Sequence, residues 1–537
     1  MRGGDGIRVR VEGTAAPVVR PVVTAPLPRR TALRSAALAV GSVGLATAGA
    51  ACSARDEPSA SARPTAGSGS APTPAAAVVQ AAQARAGTVD AAASPHEQSV
   101  AASRALLDGA GVVVVASTPQ DLPEATATAR ALGLALLVGG PQLAAELDRL
   151  GTRTVVQVGR TAPDAGPSRA AGREVVPATD RDAVAALAGV PHRPVGRGAA
   201  AVLAPDATVP PAVEATLEAV KAERISMGHS DPRRSPASFE ALRAGDGPVL
   251  GIGEGIDDVD LLARRVRTVR RAQELPGGGL LPFPGRRMVA LYGHPGTASL
   301  GVLGEQSAAA TVARAADLAR EYGRLTDTPV VPAFELIATV ATRSKGKDGT
   351  YSVRTPVRRL LPWVQAAEHA GTYVVLDLQP GRSDFLDQAT RYEELLRRPW
   401  VGLALDPEWR LGPRDRPLQR IGSVGIDEVN RVGAWLAGLV RAHDLPPKVV
   451  TLHQFRRSMI GERERLDTSI DEVQWLVHAD GQGPQHAKQE TWGALRRDLP
   501  DGVWLGWKNF VDEDTPMLSP EQTMARVRPT PWFVSYQ

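Results

Sequence analysis

The sequence predicts a mixed α/β protein in which a small parallel-sheet α/β domain precedes a C-terminal (β/α)8 barrel. After Arg286, eight short apolar runs recur, and helix-forming sequence follows each of them except the last. Strands that alternate with helices pair in parallel through right-handed crossovers. Eight such units in about 250 residues match the usual size of this barrel. The runs are Met288–His294, Val330–Ala338, Thr372–Pro380, Val401–Trp409, Lys448–Gln454, Val473–Asp480, Gly502–Lys508 and Pro531–Gln537.

The distribution of aromatic residues divides the 537-residue chain into two parts. All nine Trp lie in the C-terminal half, and Phe239 is the only aromatic residue before position 283. Two cores of different construction explain this division. We therefore predict an α/β domain over 91–271 and the barrel over 286–537.

Residues 1–52 resemble an export signal. Arg29 and Arg30 resemble the arginine pair of a twin-arginine signal, and the uncharged stretch Ser35–Ala51 has the length of a signal h-region. Cys52 follows at once, and Ala50-Ala51-Cys52 resembles the end of a bacterial lipobox. The resemblance implies an exported protein, anchored by a lipid on Cys52 to the extracellular face of the membrane. A chain with a single cysteine forms no internal disulfide.

The high isoelectric point belongs to the predicted signal. Residues 1–52 contain seven Arg against Asp5 and Glu12, whereas the whole chain has a net charge of +4. The remainder is therefore close to −1, and we expect no nucleic-acid partner. The following segment, 53–89, consists mainly of Ala, Pro, Ser and Gly, a composition that predicts a disordered tether.

The middle domain shows short Val/Leu strands between Ala-rich helices, which predicts a small parallel sheet covered by helices. The matching segments are Val112–Ala116, Asp121–Ala127, Leu134–Gly140 and Leu143–Leu150. They resemble the cell-wall-binding type 2 repeat of exported bacterial proteins, and the resemblance implies attachment to the cell wall. The alternative is a scaffold domain that packs on the barrel and binds nothing.

The fourth barrel run ends in Asp406-Pro407-Glu408, which predicts two carboxylates on one side of a strand end. Repulsion between two such groups raises the pKa of one of them and favours a general acid. The segment is similar to the Asp-x-Glu end of the strand-four motif in family 18 chitinase-like glycoside hydrolases, with Gly402, Asp406 and Glu408 matching. We predict Glu408 as the catalytic acid and Asp406 as its electrostatic partner. The alternative is that both residues only cap the following loop.

Other polar and aromatic residues at the strand ends predict a glycan-binding cleft. Trp504 and Trp532 are further candidates for stacking on sugar rings. The predicted substrate-binding residues are Tyr292, His294, Glu335, Asp377, Gln379, Trp409, His453, Gln454, His478, Asp480, Trp507 and Lys508. The predicted partner is a cell-wall or extracellular glycan, and the oligomeric state is left open.

Two further functions remain open at this point. A non-catalytic cell-wall-binding lipoprotein would use the same cleft without turnover. A metal-dependent hydrolase would use His294, His453, His478 and Asp480, but the last strand lacks the aspartate that barrel hydrolases of this kind use. We therefore predict no metal and no cofactor, and we expect these histidines to bond substrate or neighbouring carboxylates.

Overall fold

The computed structural model describes residues 79–82, 85–159, 168, 172–188 and 198–537. The predicted signal with Cys52, and the predicted linker up to residue 78, lie outside these residues. The end of the linker segment differs from the prediction, because Val79–Ala81 (β1) and Ala86–Val89 (β2) are strands. Val79, Ala81 and Val89 are buried, so this stretch has enough apolar surface to join the fold.

The chain before the barrel forms two four-stranded parallel sheets, where the sequence predicted one. Their strand orders are β5-β4-β6-β7 and β2-β10-β8-β9, and β1 pairs antiparallel with β3. Strands β4 to β7 thus form one sheet, and β2 joins the later strands β8 to β10 in the other. The strands are β3 (Leu107–Ala110), β4 (Val112–Ala116), β5 (Leu136–Val138), β6 (Thr154–Val158), β7 (Glu174–Pro177), β8 (Ala200–Leu203), β9 (Glu223–Ser226) and β10 (Val249–Ile252).

The helix Pro95–Leu106 contacts both sheets and joins them into one core. It begins at Ser94, whose hydroxyl accepts from the Glu97 N–H in a capping box. Gly87 is required on β2, because a Cβ there would lie 2.4 Å from the Cβ of Ala105. The other helices of this part are Leu122–Leu132, Leu143–Arg149, Arg181–Ala188, Pro211–Ala219, Pro236–Arg243 and Val259–Arg271.

The eight predicted barrel strands are confirmed, and they close into a parallel barrel. The strand order is β11-β21-β20-β19-β17-β15-β14-β12, and β11 also pairs with β12 to complete the ring. The strands are β11 (Arg287–Gly293), β12 (Val330–Ala341), β14 (Tyr373–Leu378), β15 (Val401–Leu405), β17 (Lys448–Gln454), β19 (Val473–Ala479), β20 (Trp504–Asn509) and β21 (Phe533–Tyr536). Strand β13 (Ser352–Arg354) pairs antiparallel with β12, and β16 (Val424–Gly425) pairs with β18 (Ile460–Gly461).

Helices separate the barrel strands with one exception. Between β17 and β19 the chain forms the short 3-10 turns Arg457–Met459 and Arg463–Arg465 and the two-residue strand β18, where a helix was expected. This segment lacks the spacing of apolar residues that would bury one face of a helix. The barrel helices are Ala308–Gly323, Val357–His369, Phe385–Thr390, Glu393–Leu396, Ile426–Ala442, Gln485–Leu495 and Pro520–Arg526.

Aromatic residues close the N-terminal end of the barrel. The ring centroids of Trp504 and Trp532 lie 5.2 Å apart, and those of Phe283 and Trp504 lie 5.5 Å apart. Both tryptophans were expected to stack on sugar at the mouth. They lie at the opposite end, because each begins or precedes a strand, and parallel strands share one direction.

The preceding α/β part packs against this N-terminal end. Asp471, in the loop before β19, accepts from the guanidinium of Arg233 at 2.7 Å and from that of Arg265 at 2.9 Å. The indole N–H of Trp400, just before β15, donates to the carbonyl of Glu274. These contacts lie at the end of the barrel opposite to the C-terminal ends of its strands. None of the described helices combines the length and the apolar composition needed to cross a membrane.

Candidate functional site

Polar side chains collect inside the barrel at the C-terminal ends of its strands. Alternate residues of each strand face the interior, and the lower interior positions are apolar, as at Ala290, Ala333 and Val375. Two residues further along the same strands the side chain becomes polar. The group formed there, called the mouth cluster below, is Tyr292, Glu335, Asp377, Asp406, Glu408, His453, His478, Asp480 and Lys508.

His453 lies between two carboxylates. Its Nε2 is 2.7 Å from Glu335 Oε1, and its Nδ1 is 2.8 Å from Asp480 Oδ2. Burial alone would lower the pKa of His453, but the two carboxylates raise it well above the ordinary value. Burial would likewise raise the pKa of Glu335, and the charge of His453 lowers it instead. The three groups therefore form a buried imidazolium with two ionised partners.

Lys508 provides the second positive charge. Its Nζ lies 3.1 Å from Asp480 Oδ1 and 3.6 Å from the centre of the Tyr292 ring. Burial would lower the pKa of Lys508, but Asp480 raises it, so the ammonium stays charged. Burial would raise the pKa of Asp480, whereas Lys508 and His453 hold it far below its ordinary value. Asp480 is therefore an ionised carboxylate with a cation on each oxygen.

Tyr292 connects Asp377 to Gln379. The phenol donates to Asp377 Oδ2 at 2.8 Å and accepts from the Gln379 amide at 3.2 Å. Burial raises the pKa of Asp377 to about 6, and the nearby charge of Glu335 adds to this increase. Asp377 is thus a carboxyl that changes its protonation state close to neutral pH.

Asp406 and Glu408 lie in a different arrangement from the predicted one. Strand β15 ends at Leu405, so the two residues do not share one side of a strand: Asp406 is the N-cap of a 3-10 turn, Pro407–Trp409, and Glu408 lies within that turn. Asp406 is buried and accepts from the Glu408 backbone N–H at 3.2 Å. Burial, followed by the charge of Asp377, raises the pKa of Asp406 well above its ordinary value. Asp406 therefore caps the turn that carries Glu408, which is one of the roles considered from the sequence.

Glu408 is the member of the pair with the properties of a general acid. Its side chain is partly exposed at the mouth. Burial raises its pKa to about 7, and the ionised Asp480 contributes the next largest increase. A carboxylic acid with this pKa remains substantially protonated at neutral pH and can donate its proton.

His478 is neutral and incompletely bonded. Burial lowers its pKa to about 3, and its Nε2 lies 3.2 Å from the hydroxyl of Ser535. Among the described residues, His478 Nδ1, Glu335 Oε2 and Asp377 Oδ1 are buried polar atoms without a hydrogen-bond partner. Buried polar atoms are normally bonded, so these three atoms leave hydrogen-bonding capacity unused within the mouth cluster.

Glu335, His453 and His478 are also the residues that could hold a metal, since one ligand atom from each lies within 4.8 Å of the others. A metal would need a neutral His453 with a free nitrogen. Both nitrogens of His453 are already bonded to carboxylates, and its pKa is raised. The arrangement therefore fits a protonated histidine better than a metal ligand.

Five predicted binding residues lie outside the mouth cluster, and one of them, Gln379, contacts it by donating to the Tyr292 hydroxyl. His294 bonds the hydroxyls of Thr297 and Thr355, and Gln454 accepts from Arg463 outside the barrel wall. Trp409 is partly exposed on the turn that carries Glu408. Trp507 was expected to contact substrate, but it is 1% exposed and packs against Trp492 at 5.7 Å, between the barrel wall and a helix. It faces outward because its neighbour Lys508 faces inward.

Sequence reasoning missed Ser535 and Lys488. Ser535 is two residues after the interior residue Phe533, so the period of two on the last strand was a usable signal. Lys488 is buried and lies 2.9 Å from Asp514, and its ammonium donates to the carbonyl of Lys508. It comes from a helix, and only the packing of that helix reveals its position. Asp514 is buried by the same contact.

No protein-family model matches the chain, and no curated protein matches it. Among solved structures, the HpcH/HpaI aldolase from Desulfitobacterium hafniense DCB-2 is similar at 13% sequence identity, with a TM-score of 0.24. The match covers 47% of this chain and 86% of that chain. A likeness at this level does not bear on the chemistry, which has to be inferred from the mouth cluster.

Proposed function

We propose that the barrel is a glycoside hydrolase that acts on a cell-wall or extracellular glycan. The observation that carries the proposal is Glu408, a partly exposed carboxyl whose pKa is raised to about 7 beside the ionised Asp480. Hydrolysis of a glycosidic bond uses one protonated and one ionised carboxyl with an oxocarbenium-like transition state. Glu408 would protonate the leaving oxygen, and Asp480 would stabilise the positive charge that develops on the sugar; a water molecule would then add to the sugar carbon and return a proton to Glu408.

This assignment changes the partner of Glu408. Asp406 was the sequence-based choice, but burial and the charge of Asp377 raise its pKa well above the ordinary value, which favours its neutral form, and its carboxyl bonds the turn. Asp480 remains ionised because Lys508 and His453 bond its two oxygens. Asp406 then acts as a positioning residue for Glu408, and Glu335 positions His453.

The glycan itself is inferred from the sequence. Gly402, Asp406 and Glu408 resemble the strand-four motif of chitinase-like hydrolases, and residues 112–150 resemble a cell-wall-binding repeat. The export-type signal with Cys52 supports a lipid-anchored protein on the outer face of the membrane. Together these resemblances support a substrate in the cell envelope or outside it.

The test is the release of reducing ends from peptidoglycan, chitin and β-glucan by the purified protein. The substitution Glu408→Gln should lower the rate by about 10²- to 10⁴-fold, the usual contribution of a general acid. Glu394→Gln is the matched control, because Glu394 is an exposed carboxylate on the outer side of the barrel. An unchanged rate in Glu408→Gln would remove the assignment.

A second function is favoured by one observation: Glu335, Asp377, His453 and His478 are all 0% exposed. A network buried to this extent could serve only to hold the mouth rigid in a non-catalytic wall-binding protein. This alternative predicts that the wild-type protein sediments with peptidoglycan and releases no reducing ends.

A further inference from the structure

The loops around the mouth carry charges of opposite sign on two sides. After β12, the hairpin that leads to β13 contains Arg343, Lys345 and Lys347, all of them exposed. After β15, the loop contains the exposed Arg414 and Arg416. These five residues are called the cationic rim. The loop after β20 contains the acidic residues Asp512 and Glu513 instead.

The two cationic loops form one continuous surface through Arg382. The Arg382 backbone N–H donates to the carbonyl of Thr350 in the hairpin at 2.7 Å. Its guanidinium lies 4.5 Å from the centre of the Tyr351 ring and donates to the carbonyl of Asp415 at 2.7 Å. Arg382 therefore lies between the hairpin and the loop after β15, and it adds a cation to that surface.

The cationic rim also adjoins the proposed acid. The loop after β15 starts immediately after the Glu408 turn and returns to it, since the Gly422 N–H donates to the Glu408 carbonyl at 2.6 Å. A polysaccharide with one sugar unit bound at Glu408 would therefore place its neighbouring sugar units close to these cations.

The rim cations have no carboxylate partner in the part of the chain that the structure describes. The acids on the same loops are already engaged, because Asp348 lies 2.9 Å from Arg354 and Asp415 lies 3.7 Å from Arg420. Elsewhere the exposed arginines are commonly paired, as Arg130 is with Glu218. Like charges held together on an exposed surface repel one another, and an anionic partner relieves this repulsion.

We propose that the barrel takes a polyanionic glycan, in which sugar units carry carboxylate or phosphate groups that bind the cationic rim. The glycan part rests on the proposed function, and the anionic part rests on the rim alone. Each exposed ion pair contributes a factor of roughly 1.5 to 5 in affinity. Five such pairs give on the order of tenfold to a thousandfold, and this gain decreases as salt screens the charges.

The test measures binding of the full chain to three polymers and one membrane surface at 50 and 500 mM NaCl. The probes are polygalacturonate for carboxylates, a glycerol phosphate polymer for phosphates, neutral dextran, and phosphatidylglycerol vesicles. The double substitution Lys345→Glu/Lys347→Glu should weaken binding of at least one anionic glycan tenfold or more at low salt. The control Arg271→Glu/Arg526→Glu makes the same charge change at exposed positions away from the mouth.

If one of the two anionic polymers binds more tightly, it identifies the group that the cationic rim prefers, carboxylate or phosphate. Binding of dextran as tight as that of both polyanions, or binding that is insensitive to rim reversal, would overturn the proposal. Rim-dependent binding of vesicles without binding of either anionic glycan would overturn it in favour of a membrane surface. Rim-dependent glycan binding without hydrolysis would leave the rim inference intact and refute only the hydrolase. Hydrolysis of a neutral glycan that is unaffected by charge reversal in the cationic rim would support the hydrolase and refute the rim inference.

Discussion

Replacing Glu335 by alanine should destabilise the barrel strongly. Glu335 is 0% exposed, and its carboxylate lies 2.7 Å from Nε2 of His453. Burial acts to lower the pKa of His453, but the neighbouring carboxylates outweigh it and raise the pKa. Removal of Glu335 leaves two buried cations, His453 and Lys508, that share the single carboxylate of Asp480, and breaking a buried ion pair in this way costs about 3–5 kcal/mol. This is a large part of the roughly 5–15 kcal/mol that stabilises a folded domain. Glu335→Gln keeps the volume and an acceptor oxygen, and should cost only about 1–3 kcal/mol.

Urea unfolding followed by tryptophan fluorescence is the appropriate assay. All nine tryptophans lie in the barrel, so the signal reports the barrel and not the preceding α/β part. Glu394→Gln, an exposed carboxylate substitution, should change the free energy of unfolding by less than about 0.5 kcal/mol. A Glu335→Ala barrel within about 1 kcal/mol of wild type would refute the description of His453 as a buried imidazolium.

The pH dependence gives an independent check on the same network. The folded-state pKa of His453 is raised, so its stabilising contribution is complete below the unfolded value near 6.5 and is lost as the pH rises through the folded pKa. The pKa of Glu335 is lowered, so its contribution is complete above its unfolded value of about 4.3 and is lost at lower pH. The difference between wild type and Glu335→Ala should therefore shrink at strongly alkaline pH.

Three further outcomes are expected. Because Glu408 has to be protonated and its pKa is about 7, kcat/KM should fall above pH 7, and a rate that keeps rising to pH 9 would contradict its role as acid. Trp507→Ala should lower the free energy of unfolding by about 3–5 kcal/mol and leave the dissociation constant for glycan unchanged, because the ring packs on Trp492. Prolonged dialysis against EDTA should leave glycan hydrolysis unchanged, because both nitrogens of His453 bond carboxylates. Loss of activity that zinc restores would instead support a metal site.

Much of the barrel could be predicted from the sequence because its strands are short apolar runs with turn and helix signals between them. The observed Lys448–Gln454 strand has the predicted bounds, and the others differ by a few residues at their ends. The expected helix after β17 was wrong, because the intervening charged residues form turns. The α/β part was predicted as one sheet, since the sequence does not record which strands pair with each other.

The candidate site was predicted in part, because strand positions decide which side chains face the interior of the barrel. The period of two places Tyr292, Glu335, Asp377, His478 and Lys508 inside the barrel once the strands are known. The same rule fails at Asp406 and Glu408, because strand β15 ends before them. The same period places Trp507 on the outer face of the barrel, because it alternates with the inward-facing Lys508.

The sequence by itself determined that this chain forms a parallel barrel and that polar residues gather at one end of it. These properties are local, because they depend on apolar runs of fixed period and on the common direction of parallel strands. Tertiary structure alone decided which charges meet: Glu335 and Asp480 on His453, and Asp480 rather than Asp406 as the ionised partner of Glu408. Protonation depends on distance and burial across strands far apart in the chain, and no spacing along the sequence specifies either quantity.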